Sequence, residues 1–225
     1  MSALGGFLMA TSLFKDRRDA GRQLAEVVSG VVTDPDACVL GLPRGGIPVA
    51  YEIALRLGLP LDFLNLRKLG VPWQPELAMG AVGEDGVPHL DSERVTAMAI
   101  TPTQIRSVKD RELRVIQARG TRYRSQCPPL DVQGRTAILV DDGIATGATV
   151  DLAIEQVKRA GAHAIVLAVP VAPAEARDRY DDLVDHFVCL HEPWTFHCVG
   201  AWYEDFGEVS DDDVCRLLRD ASERG

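Results

Sequence analysis

The apolar and polar positions of the chain follow two periodicities, and this pattern predicts strands that alternate with helices. Short apolar runs, which are typical of buried strands, lie at 37–42, 135–143, 162–171 and 185–190, and an alternating run lies at 61–67. Apolar residues at helical spacing predict helices over 16–29, 45–58, 101–124, 147–161, 173–184 and 208–225. Two short β-like segments, 79–82 and 87–90, lie in a Gly- and Pro-rich region. This alternation predicts an α/β fold with a doubly wound, mostly parallel sheet flanked by helices.

Length and composition narrow the class of protein. The 225 residues suffice for one substantial domain and contain no internal repeat or low-complexity tract, so we expect a single domain over 1–225. The net charge of -9 argues against a nucleic-acid partner and against an anionic membrane surface. A few arginines and backbone amides can still make a local phosphate site in an acidic protein. No apolar run approaches the roughly 18 residues that span a bilayer.

The N-terminal segment and the cysteines indicate a cytoplasmic protein. The charges follow the short N-terminal apolar segment instead of preceding it, which is the wrong order for a secretory signal. The 5 cysteines are widely spread and no pair has C-x-x-C spacing, so neither a zinc motif nor a redox motif is indicated. Free thiols in a reducing cytosol are the simpler interpretation.

The stretch "AILVDDGIATGATV" (137–150) carries the most specific chemistry in the sequence. Asp141 and Asp142 follow a buried strand, and buried carboxylates are costly unless they have a partner or a task. The next residues form a loop with two glycines and two threonines that leads into a helix, where backbone N–H groups favour a phosphate monoester. The lysine of a P-loop and the G-x-G-x-x-G of dinucleotide sites are both absent. A sugar phosphate fits this combination.

The segment "ILVDDGIATGAT" resembles the phosphoribosyl-pyrophosphate (PRPP) signature of type I phosphoribosyltransferases. The resemblance implies that Asp141 and Asp142 are catalytic, holding the ribose 2- and 3-hydroxyls partly through Mg²⁺, and that the loop wraps the 5-phosphate. The 5-phosphate residues are Ala145, Thr146, Gly147, Ala148 and Thr149. The alternative is a chance acidic turn before a helix cap.

Two further segments resemble the pyrophosphate-binding parts of the same family. In "LGLPRGGIPVA", the resemblance implies that Arg44 is catalytic as well, and that Arg44 and the amides of Gly45 and Gly46 meet the pyrophosphate. Such loops often carry a cis peptide, and a guanidinium pairs well with phosphate oxygens. We expect Arg67 and Lys68 to end the second strand at the same sheet edge and to bind pyrophosphate as well. The alternatives are a Pro-Gly turn with a solvated arginine and a surface basic pair.

The resemblance also implies a small hood over the acceptor, built by the chain ends. We expect the core at about 16–190, and the hood with a C-terminal helix at about 191–225. The aromatic residues of the hood suggest Trp194 and Phe196 as acceptor contacts; they could equally cover the sheet edge or form a dimer contact. We assign His191, His197 and Cys198 to packing, because no fourth metal ligand has a recognised spacing. Ala145 stands where members acting on 6-oxopurines have an acid, which favours an adenine-like or non-purine acceptor.

These features predict a Mg²⁺-dependent transferase that moves phosphoribosyl from PRPP to a nitrogenous, nucleobase-like acceptor and releases pyrophosphate. The family's habit implies a homodimer. A closing loop could be 70–84 or the Arg-rich span 106–124, although a charge-rich helix is usually a solvated face. A regulatory protein that senses PRPP or a nucleotide on the same fold remains an alternative. A hydrolase using the two aspartates is disfavoured, because a phosphate-cradling loop follows them at once.

Overall fold

The computed structural model describes residues 13–224, and the N-terminal apolar segment of the sequence largely lies outside this range. Five strands form a central sheet and three form a second sheet. The strands are β1 (Cys38–Gly41), β2 (Leu61–Phe63), β3 (Arg67–Val71), β4 (Gln74–Val82), β5 (Pro88–Leu90), β6 (Thr136–Val140), β7 (Ala164–Val171) and β8 (His186–His191). The helices are α1 (Arg17–Val31), α2 (Gly46–Leu57), α3 (Ser92–Ala97), α4 (Pro102–Arg124), α5 (Ala148–Arg159), α6 (Glu175–Tyr180) and α7 (Asp211–Ser222), with a 3₁₀ turn at Val199–Trp202. No helix in residues 13–224 is long and apolar enough to cross a membrane.

The central sheet has the order β2-β1-β6-β7-β8, and every neighbouring pair is parallel. Successive strand residues point to opposite faces, so Val39 contributes to one buried cluster and Leu40 to another. The first cluster also contains apolar residues of α1, α2 and α7, and the second those of α5 and α6. Helices therefore cover both faces, which confirms the predicted doubly wound, mostly parallel sheet.

Local sequence signals set most helix ends. The side chain of Asp16 caps α1, and Thr101 and Gln104 form a capping box at α4 ahead of Pro102. The helix predicted over 45–58 is α2, and it ends at its C-cap residue Gly58, whose φ of 67° is accessible to glycine without strain. The first-turn acids of α7 include Asp213, which completes a capping box with Ser210.

The prediction of one strand over 61–67 was wrong beyond Phe63. The partner of β2 is β1, which ends at Gly41 before the Pro43–Arg44 turn, so β2 has no strand to pair with after Phe63. Arg67 and Lys68 do not end the second strand; they begin β3 of the antiparallel sheet β3-β4-β5. That sheet packs on α4 through its own apolar cluster, which includes Leu69 and Ile116. The sequence pattern missed α3, the first half of β4 and all of β3 beyond Arg67.

Candidate functional site

Two loops meet at the carboxyl ends of the adjacent strands β1 and β6. Gly46 lies so close to β6 that a Cβ atom there would be 2.6 Å from the carbonyl oxygen of Val140, and a Cβ atom on Gly45 would collide with the carboxylate of Asp142. The peptide bond between Pro43 and Arg44 is cis, as the resemblance suggested for this loop. The glycines therefore let the Pro43–Gly46 turn lie directly against the two aspartates.

The carboxylates of Asp141 and Asp142 are shielded from water, and neighbouring positive charges do not fully balance their two negative charges. The backbone N–H of Asp142 donates to Oδ1 of Asp141 at 2.9 Å. Burial raises the pKa of Asp141 well above its usual range, and the neighbouring Asp142 charge raises it further. Burial also raises the pKa of Asp142, although Arg17 acts in the opposite direction. A pair in this state favours a ligand that brings positive charge or hydroxyl donors.

Arg17 of α1 is the side chain that holds Asp142, and the sequence did not single it out. Its Nε atom lies 2.7 Å from Oδ2 of Asp142, and its Nη1 donates to the carbonyl oxygen of Gly207 at 2.7 Å. Its guanidinium carbon also lies 3.7 Å from the ring centroid of Phe206. In the sequence Arg17 stands beside another arginine at the start of an amphipathic helix, a position that is usually solvated.

Arg44 is also held by a distant part of the chain. Arg44 forms an ion pair with Glu208. The same part of the chain also contacts the aspartate loop, because the hydroxyl of Tyr203 donates to the carbonyl oxygen of Asp142 at 2.6 Å. We call residues 203–208 the hood segment. It joins the N-terminal region through the parallel bridge between Phe14 and Tyr203. Both charged loops of the site therefore contact the predicted hood.

The predicted 5-phosphate loop presents backbone donors. Within the described part of the chain, the N–H groups of Ala145, Thr146, Gly147, Ala148 and Thr149 have no hydrogen-bond acceptor. Gly147 has a φ of 77°, and α5 begins at the next residue, so the amides lie at a helix N-terminus. Nη1 of Arg179 in α6 donates to the carbonyl oxygen of Thr146 at 3.2 Å and so helps to fix the loop. The arrangement suits an anion.

A cavity of about 370 Å³ lies between these loops and the antiparallel sheet. Asp141 and Thr149 line this cavity together with Arg67, Lys68 and Arg111. Arg67 and Lys68 thus reach the expected site from the start of β3 instead of the end of β2. Arg111 also lines the cavity, although the sequence pattern placed it only within a charge-rich helix.

The aromatic candidates lie elsewhere. The side chain of Trp194 is 94% exposed, and Phe196 stacks on Trp202 with ring centroids 6.4 Å apart. Neither residue lines the cavity that contains Asp141. Among residues 13–224, no group of three or more His, Cys, Asp or Glu side chains is placed to hold a metal ion, a group around His191 included.

The two candidate closing segments have regular structure. Residues 70–84 contain the turn between β3 and β4, and Gly70, Pro75 and Glu76 of this hairpin line the cavity. The span 106–124 lies in α4, where Arg122 pairs with Asp212 and Arg124 with the buried Asp62. These pairs give the last two arginines structural partners within the chain.

The fold and the site define a doubly wound α/β protein with its candidate ligand site at the carboxyl ends of adjacent strands. The phosphoribosyl transferase domain family matches residues 15–204, and the chain belongs to this family. Two proteins of Mycobacterium tuberculosis (strains H37Rv and CDC 1551), named putative phosphoribosyl transferases, are each 45% identical to it over 217 residues, or 95% of the chain. The chain spans about half of the length of these relatives (49%).

Two solved structures support the same fold. The crystal structure of TT1426 from Thermus thermophilus is 42% identical, with a TM-score of 0.77, covering 93% of this chain and 99% of that one. A hypothetical protein from Neisseria gonorrhoeae with bound ppGpp is 13% identical, with a TM-score of 0.50, covering 91% of this chain and 92% of that one. The second likeness concerns the fold alone.

Proposed function

We propose that the protein transfers the 5-phosphoribosyl group of PRPP to a nitrogenous, nucleobase-like acceptor and releases pyrophosphate. The observation that carries this proposal is the composition of one cavity. Asp141 and Thr149 from the predicted sugar-phosphate loop line the same cavity as Arg67 and Lys68, which are predicted to bind pyrophosphate. A ligand with hydroxyls, a phosphate monoester and a diphosphate would use all of these groups.

The roles of the residues follow from their chemistry. The free amides of Ala145 to Thr149 bind the 5-phosphate, and Asp141 and Asp142 orient the ribose through its 2- and 3-hydroxyls. Arg44, Arg67, Lys68 and the amides of Gly45 and Gly46 stabilise the charge that develops on the pyrophosphate as the anomeric C–O bond breaks. Pyrophosphate leaves with the electron pair of that bond, and the acceptor nitrogen forms the new C–N bond and releases its proton to water.

The donor set fits Mg²⁺. Asp141 and Asp142 offer hard oxygen ligands, and Mg²⁺ commonly binds one or two carboxylates and completes its shell with water and substrate oxygens. We infer that these two residues hold the ion, directly or through water and the ribose hydroxyls. When bound, the ion neutralises charge on the pyrophosphate. Its positive charge would also offset the cost of holding two desolvated carboxylates side by side.

The proposed acceptor rests on the aromatic residues of the hood and on the residue at the head of the phosphate loop. Trp194 and Phe196 are the aromatic candidates of the hood, and Ala145 at the head of the phosphate loop favours an adenine-like or non-purine acceptor. Trp194→Ala tests the acceptor contact: it should raise the KM for the acceptor and leave the KM for PRPP unchanged.

We further propose a cytoplasmic homodimer acting in nucleotide metabolism. Sedimentation analysis tests the dimer.

The central experiment is calorimetric titration with PRPP and Mg²⁺. We expect binding by the wild type and its loss in Asp141→Asn/Asp142→Asn. Asp181→Asn/Asp182→Asn is the matched control, since this adjacent aspartate pair is exposed. Pyrophosphate release with a panel of bases then tests transfer. No binding by the wild type would overturn the proposal.

A PRPP- or nucleotide-sensing regulator is the second candidate. It is favoured by the pairing of Arg44 with Glu208 and of Asp142 with Arg17, because a ligand that displaced these contacts would change the position of the hood. The same fold also carries ppGpp in the structure from N. gonorrhoeae. PRPP binding without pyrophosphate release for any base would support the sensor.

A further inference from the structure

One wall of the cavity that Asp141 lines contains two arginines that share one buried carboxylate. Nε and Nη2 of Arg67 lie 2.9 and 2.8 Å from Oε2 of Glu112, and Nε of Arg111 lies 3.0 Å from Oε1 of the same side chain. Glu112 is only 7% exposed, although it is on a helix that is otherwise rich in exposed charges. Burial alone would raise the pKa of Glu112, but the hydrogen bonds and the positive charges of Arg67 and Arg111 together outweigh burial and lower the pKa. Glu112 therefore stays ionised and orients both guanidiniums.

The sharing leaves positive charge and free donors on this wall. Each guanidinium has five N–H donors, and one carboxylate with two oxygens cannot satisfy both groups. Within residues 13–224, Glu112 is the one carboxylate paired with Arg67 or Arg111. Lys68 adds a third cation; its Nζ lies 3.6 Å from Oε2 of Glu76, whose side chain is 97% exposed, so that pair is weak.

We propose that Arg111 joins Arg67 and Lys68 in the diphosphate subsite and that Glu112 is the positioning residue of its two arginines. This inference rests on the proposed function, and it adds Arg111 as a binding residue from α4. Two oriented guanidinium groups, each able to donate two hydrogen bonds to one phosphate, suit a diphosphate better than a single lysine would. The subsite opens into the cavity that Pro43, Asp141 and Thr149 also line, so it lies where a diphosphate attached to the ribose would project.

The test uses two probes that occupy different parts of the site. Inorganic pyrophosphate with Mg²⁺ probes the subsite, and ribose 5-phosphate probes the loop at Ala145 to Thr149. Arg111→Gln should weaken pyrophosphate binding about tenfold, the factor for one lost charge-assisted contact, and leave ribose 5-phosphate binding unchanged. Arg111→Lys should weaken pyrophosphate binding less than Arg111→Gln does, because lysine keeps the positive charge but lacks the bidentate guanidinium. Arg106→Gln is the matched control, since Arg106 is an exposed arginine of the same helix that does not line the cavity.

Glu112→Gln tests the positioning role. A neutral amide can hold one guanidinium but not two, so pyrophosphate binding should weaken while ribose 5-phosphate binding stays at the wild-type level. If Glu112→Gln lost the binding of both pyrophosphate and ribose 5-phosphate, Glu112 would have a general structural role, and the positioning assignment would be overturned.

The outcomes separate the subsite from the proposed function. If Arg111→Gln binds pyrophosphate as the wild type does, the subsite is wrong while the function stands. If the wild type binds ribose 5-phosphate but not pyrophosphate, the subsite is overturned and a transferase that releases pyrophosphate is overturned with it. If the wild type binds neither probe nor PRPP, the proposed function itself fails.

Discussion

Arg17 and Asp142 form an ion pair with Nε and Oδ2 2.7 Å apart, although 125 residues separate them in the chain. The pair joins the first helix to the end of a central strand at the point where the resemblance places the ribose hydroxyls. Both side chains are nearly buried, at 12% and 15% exposure, so water screens the interaction only weakly. The N-terminal helix thus has a direct part in the electrostatics of the candidate site.

Arg17→Gln should destabilise the protein. The change leaves Asp142 without its counter-ion and removes the contacts with Gly207 and Phe206, which we expect to cost about 2 kcal/mol. Thermal unfolding measures this cost. Arg22→Gln is the control, because Arg22 is 55% exposed and its ion pairs should contribute under about 1 kcal/mol. Equal effects of the two changes would contradict the assigned importance of the Arg17–Asp142 pair.

Glu208→Gln should tighten the binding of pyrophosphate. Arg44 pairs with Glu208, and a diphosphate has to compete with that carboxylate for the guanidinium. Glu208 is 77% exposed, so the pair is worth about 1 kcal/mol at most, and removing it should lower the Kd by up to about fivefold. Calorimetry measures the Kd, with the exposed Glu204→Gln of the same segment as the control. A Kd that rises in Glu208→Gln would mean that Glu208 assists the ligand instead of competing with it.

Asp141→Asn should stabilise the protein at neutral pH. Burial raises the folded-state pKa of Asp141, so the folded state binds more protons than the unfolded chain between the ordinary aspartate pKa and the raised value. The free energy of unfolding therefore falls as pH rises through this window, and the asparagine variant escapes the loss. Each 1 kcal/mol gained should raise Tm by roughly 2–4 °C in a chain of this size.

Asp34→Asn provides a control of opposite sign for this pH dependence. The hydrogen bond from the Thr136 hydroxyl, at 2.6 Å, lowers the pKa of Asp34, so its stabilising effect is present at neutral pH and is lost as pH falls through the folded pKa. Both variants should approach the wild-type Tm in acid, from opposite sides. An Asp141→Asn variant with lower Tm than the wild type at pH 7 would contradict the assignment of Asp141 as a costly functional residue.

Gly46→Ala should destabilise the site, whereas Gly30→Ala should stabilise the protein. A Cβ atom on Gly46 would press on the carbonyl oxygen of Val140, a backbone atom that can move little, and we expect a cost of about 1–3 kcal/mol. A Cβ atom on Gly30 in α1 would meet nothing within 4 Å, and alanine is the better helix former by about 0.5–1 kcal/mol. Chemical denaturation measures both changes. If Gly46→Ala left the free energy of unfolding unchanged, the loops at 43–46 and 141–149 could move apart without cost.

The sequence by itself determined the elements that depend on local signals. Apolar runs, helix caps and the glycine at 58 act within a few residues, so the parallel strands and most helices could be predicted. The chemistry of the two loops was also local, because the aspartates, glycines and threonines stand side by side in the chain. Arg67 and Lys68 were predicted for the site but on the wrong strand, since the pattern could not show that β1 ends too early to pair with residues beyond Phe63.

The tertiary structure alone decided which distant charges meet. Arg44 pairs with a residue 164 positions away, Arg67 with one 45 positions away, and Arg17 with one 125 positions away. A charged side chain on an amphipathic helix has the same sequence pattern whether it is solvated or inserted into a site, because periodicity reports the buried face and not the partner of each charge. The partners were fixed by the packing of α1, α4 and the hood segment around the sheet, which places these charges at one edge.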